Sequence, residues 1–156
     1  MRLALLVAAI VALWLMLKSM GDAATSSPSA GNGAPTSAGY GDGLDTLSEG
    51  VARFEGFYKD GSKAQRTNNP GNVGTYGDKN TSFADVGDGW DRLNSYLAGL
   101  VAAHPDWNFY QLFHYYLTGD PNGTPGPNQD PNAYAEYVAS YAGADPTQTV
   151  SSYLGS

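Results

Sequence analysis

The composition of the chain changes twice within its first 45 residues, which limits how much of it can fold. Arg2 precedes an unbroken apolar run, residues 3–17, and Lys18 follows it. Residues 21–43 are rich in Ser, Gly, Ala and Pro and contain almost no large apolar side chain. Because such a segment cannot bury enough surface to offset its ordering entropy, it is predicted to be a flexible linker. The folded domain is therefore predicted over residues 44–156, a length that can bury a core without disulfides.

The apolar run is typical of either a signal peptide or a membrane anchor. Its length suits the hydrophobic region of a signal peptide, and Gly21 and Ala23 supply the small residues of a cleavage site. As a helix the run rises about 22 Å, short of the roughly 30 Å hydrocarbon core, but the flanking Arg and Lys can extend to the interfaces. Because Lys18 interrupts the run before that site, we favour an uncleaved anchor over residues 1–20. In both cases the domain is expected to leave the cytoplasm or to cross a membrane.

Charge and residue types exclude several classes of function. The formal net charge is −7 and the eight Lys and Arg are scattered, so the chain lacks the basic stripe that neutralises nucleic-acid phosphates. The absence of cysteine excludes thiol catalysis, disulfides and thiolate metal sites. His104 and His114 are not spaced with carboxylates as in a zinc motif. We therefore predict no metal, no cofactor and no nucleic-acid partner.

Apolar residues at helical spacing dominate the domain. Thr46 and Glu49 form a predicted capping box at the start of the first stretch, and Gly56 lies near its end. Asp145-Pro146 is predicted to begin a last short helix that contains Val150 and Leu154. The residues with helical spacing are Leu44, Leu47, Val51, Phe54 and Tyr58; Trp90, Leu93, Leu97, Leu100 and Val101; Phe109, Leu112, Phe113 and Tyr116; and Tyr134, Tyr137, Val138 and Tyr141.

Between the first two helices, residues 59–84 are rich in Gly, Asn, Asp and Thr. Short strand-like pieces such as residues 73–76 favour turns or a small hairpin over a helix. The predicted fold class is therefore α+β and mostly α: a helical bundle with a small β lobe, behind an N-terminal hydrophobic helix and a flexible linker.

Glu55 has an unusual position on the first helix. On a helical wheel it lies about 40° from Val51 and about 60° from the centre of the apolar stripe. It therefore borders the buried face in the last turn, where both partial burial and the negative end of the helix dipole disfavour a charged carboxylate. A carboxyl that stays protonated near neutral pH can act as a general acid. The alternative is a border residue paired with Arg53, Lys59 or Arg66.

A second polar segment follows closely. Residues 61–76 gather Arg66, Asn68, Asn69 and Asn72 around a Pro-Gly turn. Asparagine amides both donate and accept hydrogen bonds, which suits the hydroxyl and acetamido groups of sugars. The same residue types also build turns without any ligand, so composition alone leaves both interpretations open.

Four segments follow one another in the chain: RFEGFY, QRTNNPGNV, SFADVGDGWDRL and PNAYAEYVASYAG. In this order they resemble a lysozyme-like family of phages and bacteria, similar to soluble lytic transglycosylases and goose-type lysozymes, and the resemblance covers roughly residues 48–154. The Arg-x-Asn-Asn-Pro-Gly-Asn motif is the most specific of them. The chain departs from the family at Thr67, where Asn is frequent, and in its Pro- and Gly-rich loop, residues 120–131.

The resemblance implies a fold, a site and a substrate. Glu55 would be the catalytic acid and base, and residues 66–73 would form the lip of a cleft over the scissile sugar. Arg66, Asn68, Asn69 and Asn72 would bind substrate, with Asn69 and Asn72 as the principal contacts, and Tyr134 would be the late-helix tyrosine that faces the catalytic carboxyl. The implied substrate is peptidoglycan, cut between N-acetylmuramic acid and N-acetylglucosamine.

Three activities remain open for such a domain. A lytic transglycosylase needs one glutamate, because the substrate's acetamido oxygen and 6-hydroxyl complete the reaction. A hydrolytic lysozyme needs a second carboxylate, for which Asp78, Asp85 and Asp88 are candidates, each also suited to a turn or a helix cap. The third is a non-catalytic glycan-binding membrane protein of a virion or envelope. We favour transglycosylation by an enzyme tethered to a bacterial envelope or a phage virion membrane, used in wall penetration or lysis.

Overall fold

Six helices make up most of the part of the chain that the structure, a computed structural model, describes: residues 40–74 and 81–155. They are α1 (Gly41–Phe54), α2 (Lys63–Arg66), α3 (Val86–Ala103), α4 (Phe109–Thr118), α5 (Pro131–Ala142) and α6 (Val150–Leu154). The predicted anchor, residues 1–20, and the linker up to residue 39 lie outside the described residues. None of the described helices is long and apolar enough to cross a bilayer.

The mostly helical class is confirmed, and the apolar stripes form the core. Helix α1 packs against α3 and α5, and α5 also packs against α4. The largest fully buried side chains are Tyr134, Phe109, Phe113, Leu44, Leu47, Leu93, Leu97, Leu112, Val51, Val101, Val138 and Val150. Since each fully buried aliphatic or aromatic side chain stabilises the fold by about 1.5–3 kcal/mol, the stripes determine how the helices pair.

The beginning of α1 differs from the prediction in two ways. The helix begins at Gly41, inside the segment predicted as linker. Its first turn is held by α6, because the hydroxyl of Tyr153 donates to the carbonyl of Gly43 over 3.3 Å. Thr46 is not a capping residue: it lies within the helix, and its hydroxyl donates to the carbonyl of Asp42 at 2.8 Å. A contact between the two ends of the domain therefore sets this boundary.

The later helices agree with the predicted spacing, and local caps define their ends. Helix α4 has a full capping box between Asn108 and Gln111, and Asp130 caps α5 through its carboxylate. The last helix begins at Val150 behind the cap Thr149, not at Asp145-Pro146. The carboxylate of Asp145 instead accepts hydrogen bonds from the backbone and the hydroxyl of Thr147, which makes a turn there.

The small β lobe is not found in residues 40–74 and 81–155. Only an isolated bridge joins Asn108 and Thr149 there, and residues 59–74 form turns and the short helix α2. Asn68 and Asn72 have positive φ angles of 51° and 47°, which break the regular repeat that a strand requires. Part of the predicted strand-like piece, residues 75 and 76, lies outside the described residues.

Candidate active site

Glu55 is the residue at which α1 ends. Its backbone N–H still donates to the carbonyl of Val51 at 2.9 Å, so the side chain keeps the helical phase that the wheel predicts. Gly56 follows with a φ of +73°, a conformation that other residues rarely adopt, and turns the chain away. The carboxyl group is consequently directed along the border of the core rather than into solvent.

Two hydrogen bonds from distant parts of the chain hold the carboxyl group of Glu55. The side-chain amide of Asn72 donates to Oε2 at 2.7 Å, and the hydroxyl of Tyr134 donates to Oε1 at 2.9 Å. Tyr134 is itself fixed between aromatic rings, with centroids 4.0 Å from Phe54 and 4.8 Å from Phe113. Each carboxyl oxygen therefore has one neutral donor in a defined position.

The electrostatic environment favours the protonated form of Glu55. Burial raises its pKa above the ordinary value, and this exceeds the opposite effects of the hydrogen bonds from Asn72 and Tyr134 and of the positive charge of Lys63. Burial also raises the pKa of the Tyr134 hydroxyl well above its usual range, so that this group remains a donor. The site thus combines a carboxyl with a raised pKa and neutral partners.

Arg53 and Arg66, two of the three cations considered as ion-pair partners of Glu55, have other partners. The guanidinium of Arg53 pairs with Glu49 at 2.9 Å, and the hydroxyl of Tyr58 donates to the same carboxylate at 2.6 Å. Arg66 donates to the carbonyl of Gly61. Glu55, in contrast, contacts Asn72 of the asparagine-rich segment.

We define the Asn loop as residues 66–73. Its asparagines have two different roles. The buried amide of Asn69 donates to the carbonyls of Val73 and Thr81, both at 3.1 Å, and its oxygen accepts from the N–H of Val73 at 2.9 Å. Asn68 donates to the carbonyl of Phe83 at 3.2 Å. These two side chains brace the loop, whereas Asn72 reaches the carboxyl of Glu55.

Asn72 also carries an open acceptor. Its Oδ1 atom is buried and has no hydrogen-bond partner among the described residues. Because the nitrogen of the same amide is bonded to Glu55, the oxygen lies beside the carboxyl group. A protonated carboxyl or a substrate N–H could be bound there after a rotation of the amide.

Replacing Asn69 by Ala should destabilise the domain by about 1–3 kcal/mol, since the buried N–H and carbonyl of Val73 and the part-buried carbonyl of Thr81 would each lose one hydrogen bond. The same change at the exposed Asn132 is the matched control and should alter the free energy of unfolding by less than about 0.5 kcal/mol. Urea unfolding of both variants measures the difference. Equal, small effects would contradict the bracing role of Asn69.

Sequence reasoning missed two residues that complete the site. The hydroxyl of Tyr116, on α4, donates to the carbonyl of Gly71 in the Asn loop. A Cβ on Gly71 would lie 2.7 Å from that hydroxyl and 2.5 Å from Leu93, so only glycine admits the contact. The helical spacing assigned Tyr116 to the core, and no local signal relates it to a loop 45 residues away.

Of the three candidates for a second carboxylate, the structure describes Asp85 and Asp88. Asp85 caps α3 by accepting from the N–H of Asp88 at 3.0 Å, and Asp88 is exposed in the first turn. Asp78 lies outside the described residues. Across residues 40–74 and 81–155, no three His, Asp or Glu side chains form a cluster that could hold a metal ion.

Comparisons of the chain with protein-family models, with curated proteins and with solved structures each found no match.

Proposed function

We propose that this domain cleaves peptidoglycan glycan strands, with Glu55 as the general acid. One observation carries the proposal: a half-buried carboxyl with a raised pKa is held by Asn72 and Tyr134, which are 17 and 79 residues away in the chain. General acids for glycosidic oxygen need a proton that is retained near neutral pH and a fixed orientation. The resemblance of the Arg66–Asn72 motif to lysozyme-like enzymes supplies the substrate class.

The roles of the other residues follow from their positions. Tyr134 orients the carboxyl through Oε1, and Asn72 contacts Oε2 from the Asn loop. Asn68 and Asn69 brace the loop through their hydrogen bonds. We propose that they also contact the sugar. Arg66 is exposed at the start of the loop, where it is available to a glycan strand.

Within this proposal, transglycosylation is favoured over hydrolysis. Hydrolysis in most glycosidases requires a second carboxylate, about 5–9.5 Å from the acid. Of the three candidates, Asp85 caps α3, Asp88 lies in the exposed first turn of that helix, and Asp78 lies outside the described residues. A transglycosylase needs only Glu55: it protonates the leaving oxygen, the acetamido oxygen of the substrate stabilises C1, and Glu55 then removes the proton of the attacking 6-hydroxyl. The products are a strand with a free 4-hydroxyl and a 1,6-anhydro sugar.

Mass spectrometry of digested cell walls tests this choice. We expect 1,6-anhydromuramic ends, which are lighter than reducing ends by one water molecule because no water is added. Reducing ends alone would instead support the hydrolytic lysozyme. No released fragments from several wall types, together with retained binding to walls, would support the non-catalytic glycan-binding protein.

The N-terminal segments give this activity a proposed location. An anchor over residues 1–20 and a linker over residues 21–39 would hold the domain near a membrane while it searches the adjacent wall. This arrangement suits a bacterial envelope protein or a phage virion membrane protein. The mass of the protein recovered from membranes decides whether the anchor is retained.

A further inference from the structure

Four large aromatic side chains near the candidate active site are exposed to solvent. The helical spacing assigns all four to the apolar stripes, yet Phe54 is 40% exposed, Tyr58 52%, Tyr137 43% and Tyr141 41%. They lie on α1, in the turn that follows it and on α5, and α1 and α5 pack against each other. We call these four side chains the aromatic surface. Burial in the core does not account for it, so another role must be sought.

Ring contacts connect the aromatic surface to Glu55. The ring of Phe54 lies 4.0 Å from that of Tyr134, whose hydroxyl donates to Oε1 of Glu55 at 2.9 Å. Phe54 also contacts Tyr137, with 5.4 Å between the ring centroids. Tyr141 follows one turn further along the same side of α5. A series of contacting rings therefore leads from the partner of the acid to the exposed surface.

A paired cation fixes the outer rings. The guanidinium of Arg53 lies 5.0 Å from the ring centroid of Tyr58 and 5.3 Å from that of Tyr141. Glu49 pairs with Arg53 at 2.9 Å and accepts a hydrogen bond from the hydroxyl of Tyr58 at 2.6 Å. Tyr141 also lies over Gly50 of α1, where a Cβ would be 3.2 Å from its ring. These rings thus have defined positions before any ligand binds, and the charge among them is neutralised.

The area of the aromatic surface favours a small ligand over a protein. Four rings with these exposures present roughly 300–400 Å² to solvent. A stable protein interface buries about 800 Å² on each partner, so these rings alone cannot hold a second copy or another protein. A sugar ring needs far less area. The C–H groups on its face are attracted to the negative face of an aromatic ring.

We propose that the aromatic surface binds the glycan strand beside the bond that is cut, with sugar rings stacked on Phe54, Tyr137 and Tyr141. A strand cut at an internal bond extends past the acid, and on the side of α1 and α5 it meets these rings. The proposal rests on the proposed function of Glu55. Because the hydrogen bonds to Glu55 come from Asn72 and Tyr134, Tyr137 and Tyr141 contribute strand binding and not the chemical step.

Binding of strands of graded length tests the proposal. The full chain in detergent micelles carries Glu55→Gln as the background, so that the strands stay intact. Calorimetry then measures its affinity for soluble peptidoglycan strands, from a disaccharide upward. Tyr137→Ala removes one ring, and Tyr137→Phe keeps it. Val86→Ala is the matched control, because this apolar side chain is similarly exposed but lies on α3.

The expected results depend on strand length. The affinity of the background chain should rise once the strand is long enough to reach Tyr137. Tyr137→Ala should remove that rise and weaken the binding of long strands by about three- to tenfold, whereas Tyr137→Phe and Val86→Ala should bind as the background does. Unchanged binding of long strands by Tyr137→Ala would overturn the proposal. An equal loss for the disaccharide would also overturn it, because the ring would then act through the acid.

Ring currents give a second readout of stacking. Sugar C–H protons that lie over an aromatic ring resonate at lower frequency than in the free strand. Proton spectra of a bound long strand should show such shifts, and Tyr137→Ala should remove part of them. Absence of the shifts would contradict stacking. If Tyr137→Ala does not fold, Tyr141→Ala removes the neighbouring ring, and unchanged binding of the longest strands by that variant would count against the proposal.

Failure of the aromatic surface and failure of cleavage are distinguishable. If the parent chain digests no wall but long strands bind through Tyr137, cleavage fails and the aromatic surface is supported as a glycan site. If the parent chain digests walls and Tyr137→Ala binds long strands normally, only the aromatic surface is refuted. Sedimentation tests the remaining occupant: self-association that Tyr137→Ala abolishes, with unchanged glycan affinity, would assign the surface to a second copy and overturn the proposal.

Discussion

Glu55→Gln should abolish wall cleavage while leaving the domain as stable as before or more so. Loss of a general acid reduces rates by about 10²- to 10⁴-fold. Glutamine keeps the size of the side chain and resembles the protonated acid in having one donor and one acceptor side. Its oxygen can accept from Tyr134, and its amide can donate to the open Oδ1 of Asn72 after that side chain rotates.

The stability part of this prediction follows from the raised pKa of Glu55. A raised pKa means that the folded state binds this proton more tightly than the unfolded chain does. The resulting stability is fully present below the pKa of the unfolded chain, and it is lost as the pH rises through the pKa of the folded state. Gln cannot ionise, so it does not undergo this loss of stability as the pH rises.

Thermal unfolding at several pH values, together with wall digestion, measures both parts. The melting temperature of Glu55→Gln should equal or exceed that of the parent at pH 7, and the two should converge at acid pH. Glu136→Gln is the matched control: this exposed carboxylate bonds only to Tyr110 among described residues, and its loss should leave cleavage unchanged. If the Glu55→Gln variant were inactive and strongly destabilised, Glu55 would have a structural role. If the variant were active, Glu55 would not be the general acid.

The helices could be predicted because their cause is local. Leu44, Leu47 and Val51 recur at the helical period, and burying them together requires a helix. The helix boundaries that distant contacts set could not be predicted in this way. Helix α6 begins where the N–H of Val150 reaches the carbonyl of Trp107 at 3.0 Å, a contact that no neighbouring residue indicates.

Part of the candidate site could likewise be predicted from the local sequence, and part could not. The phase of α1 places Glu55 on the border of the core, and its raised pKa follows from that border position. The order Asn-Asn-Pro-Gly-Asn, however, does not indicate which amide turns inward. Positive φ angles at Asn68 and Asn72 set the direction of the loop, and α3 lies against the loop backbone at Asn68 and Gly71.

Gly89 is the point at which α3 meets the Asn loop, and its replacement by Ala should be among the most destabilising single methyl additions in the domain. An ideal Cβ at this position would lie 1.9 Å from the carbonyl oxygen of Asn68 and 2.9 Å from Cδ of Pro70. Neither neighbour is the end of a flexible side chain, so the helix and the loop would have to separate. Overpacking of this kind costs about 1–3 kcal/mol, against a helix-propensity gain of about 0.5–1 kcal/mol.

The same helix offers an internal control. A Cβ on Gly99 would meet nothing within 4 Å, so Gly99→Ala should stabilise the domain by about 0.5–1 kcal/mol through helix propensity alone. Urea unfolding of both variants should thus show midpoints displaced in opposite directions with unchanged slopes. Because the Asn loop also carries Asn72, Gly89→Ala should slow wall cleavage even at temperatures where it remains folded. If Gly89→Ala were as stable and as active as the parent, the close contact between α3 and Asn68 would not be what holds the loop against Glu55.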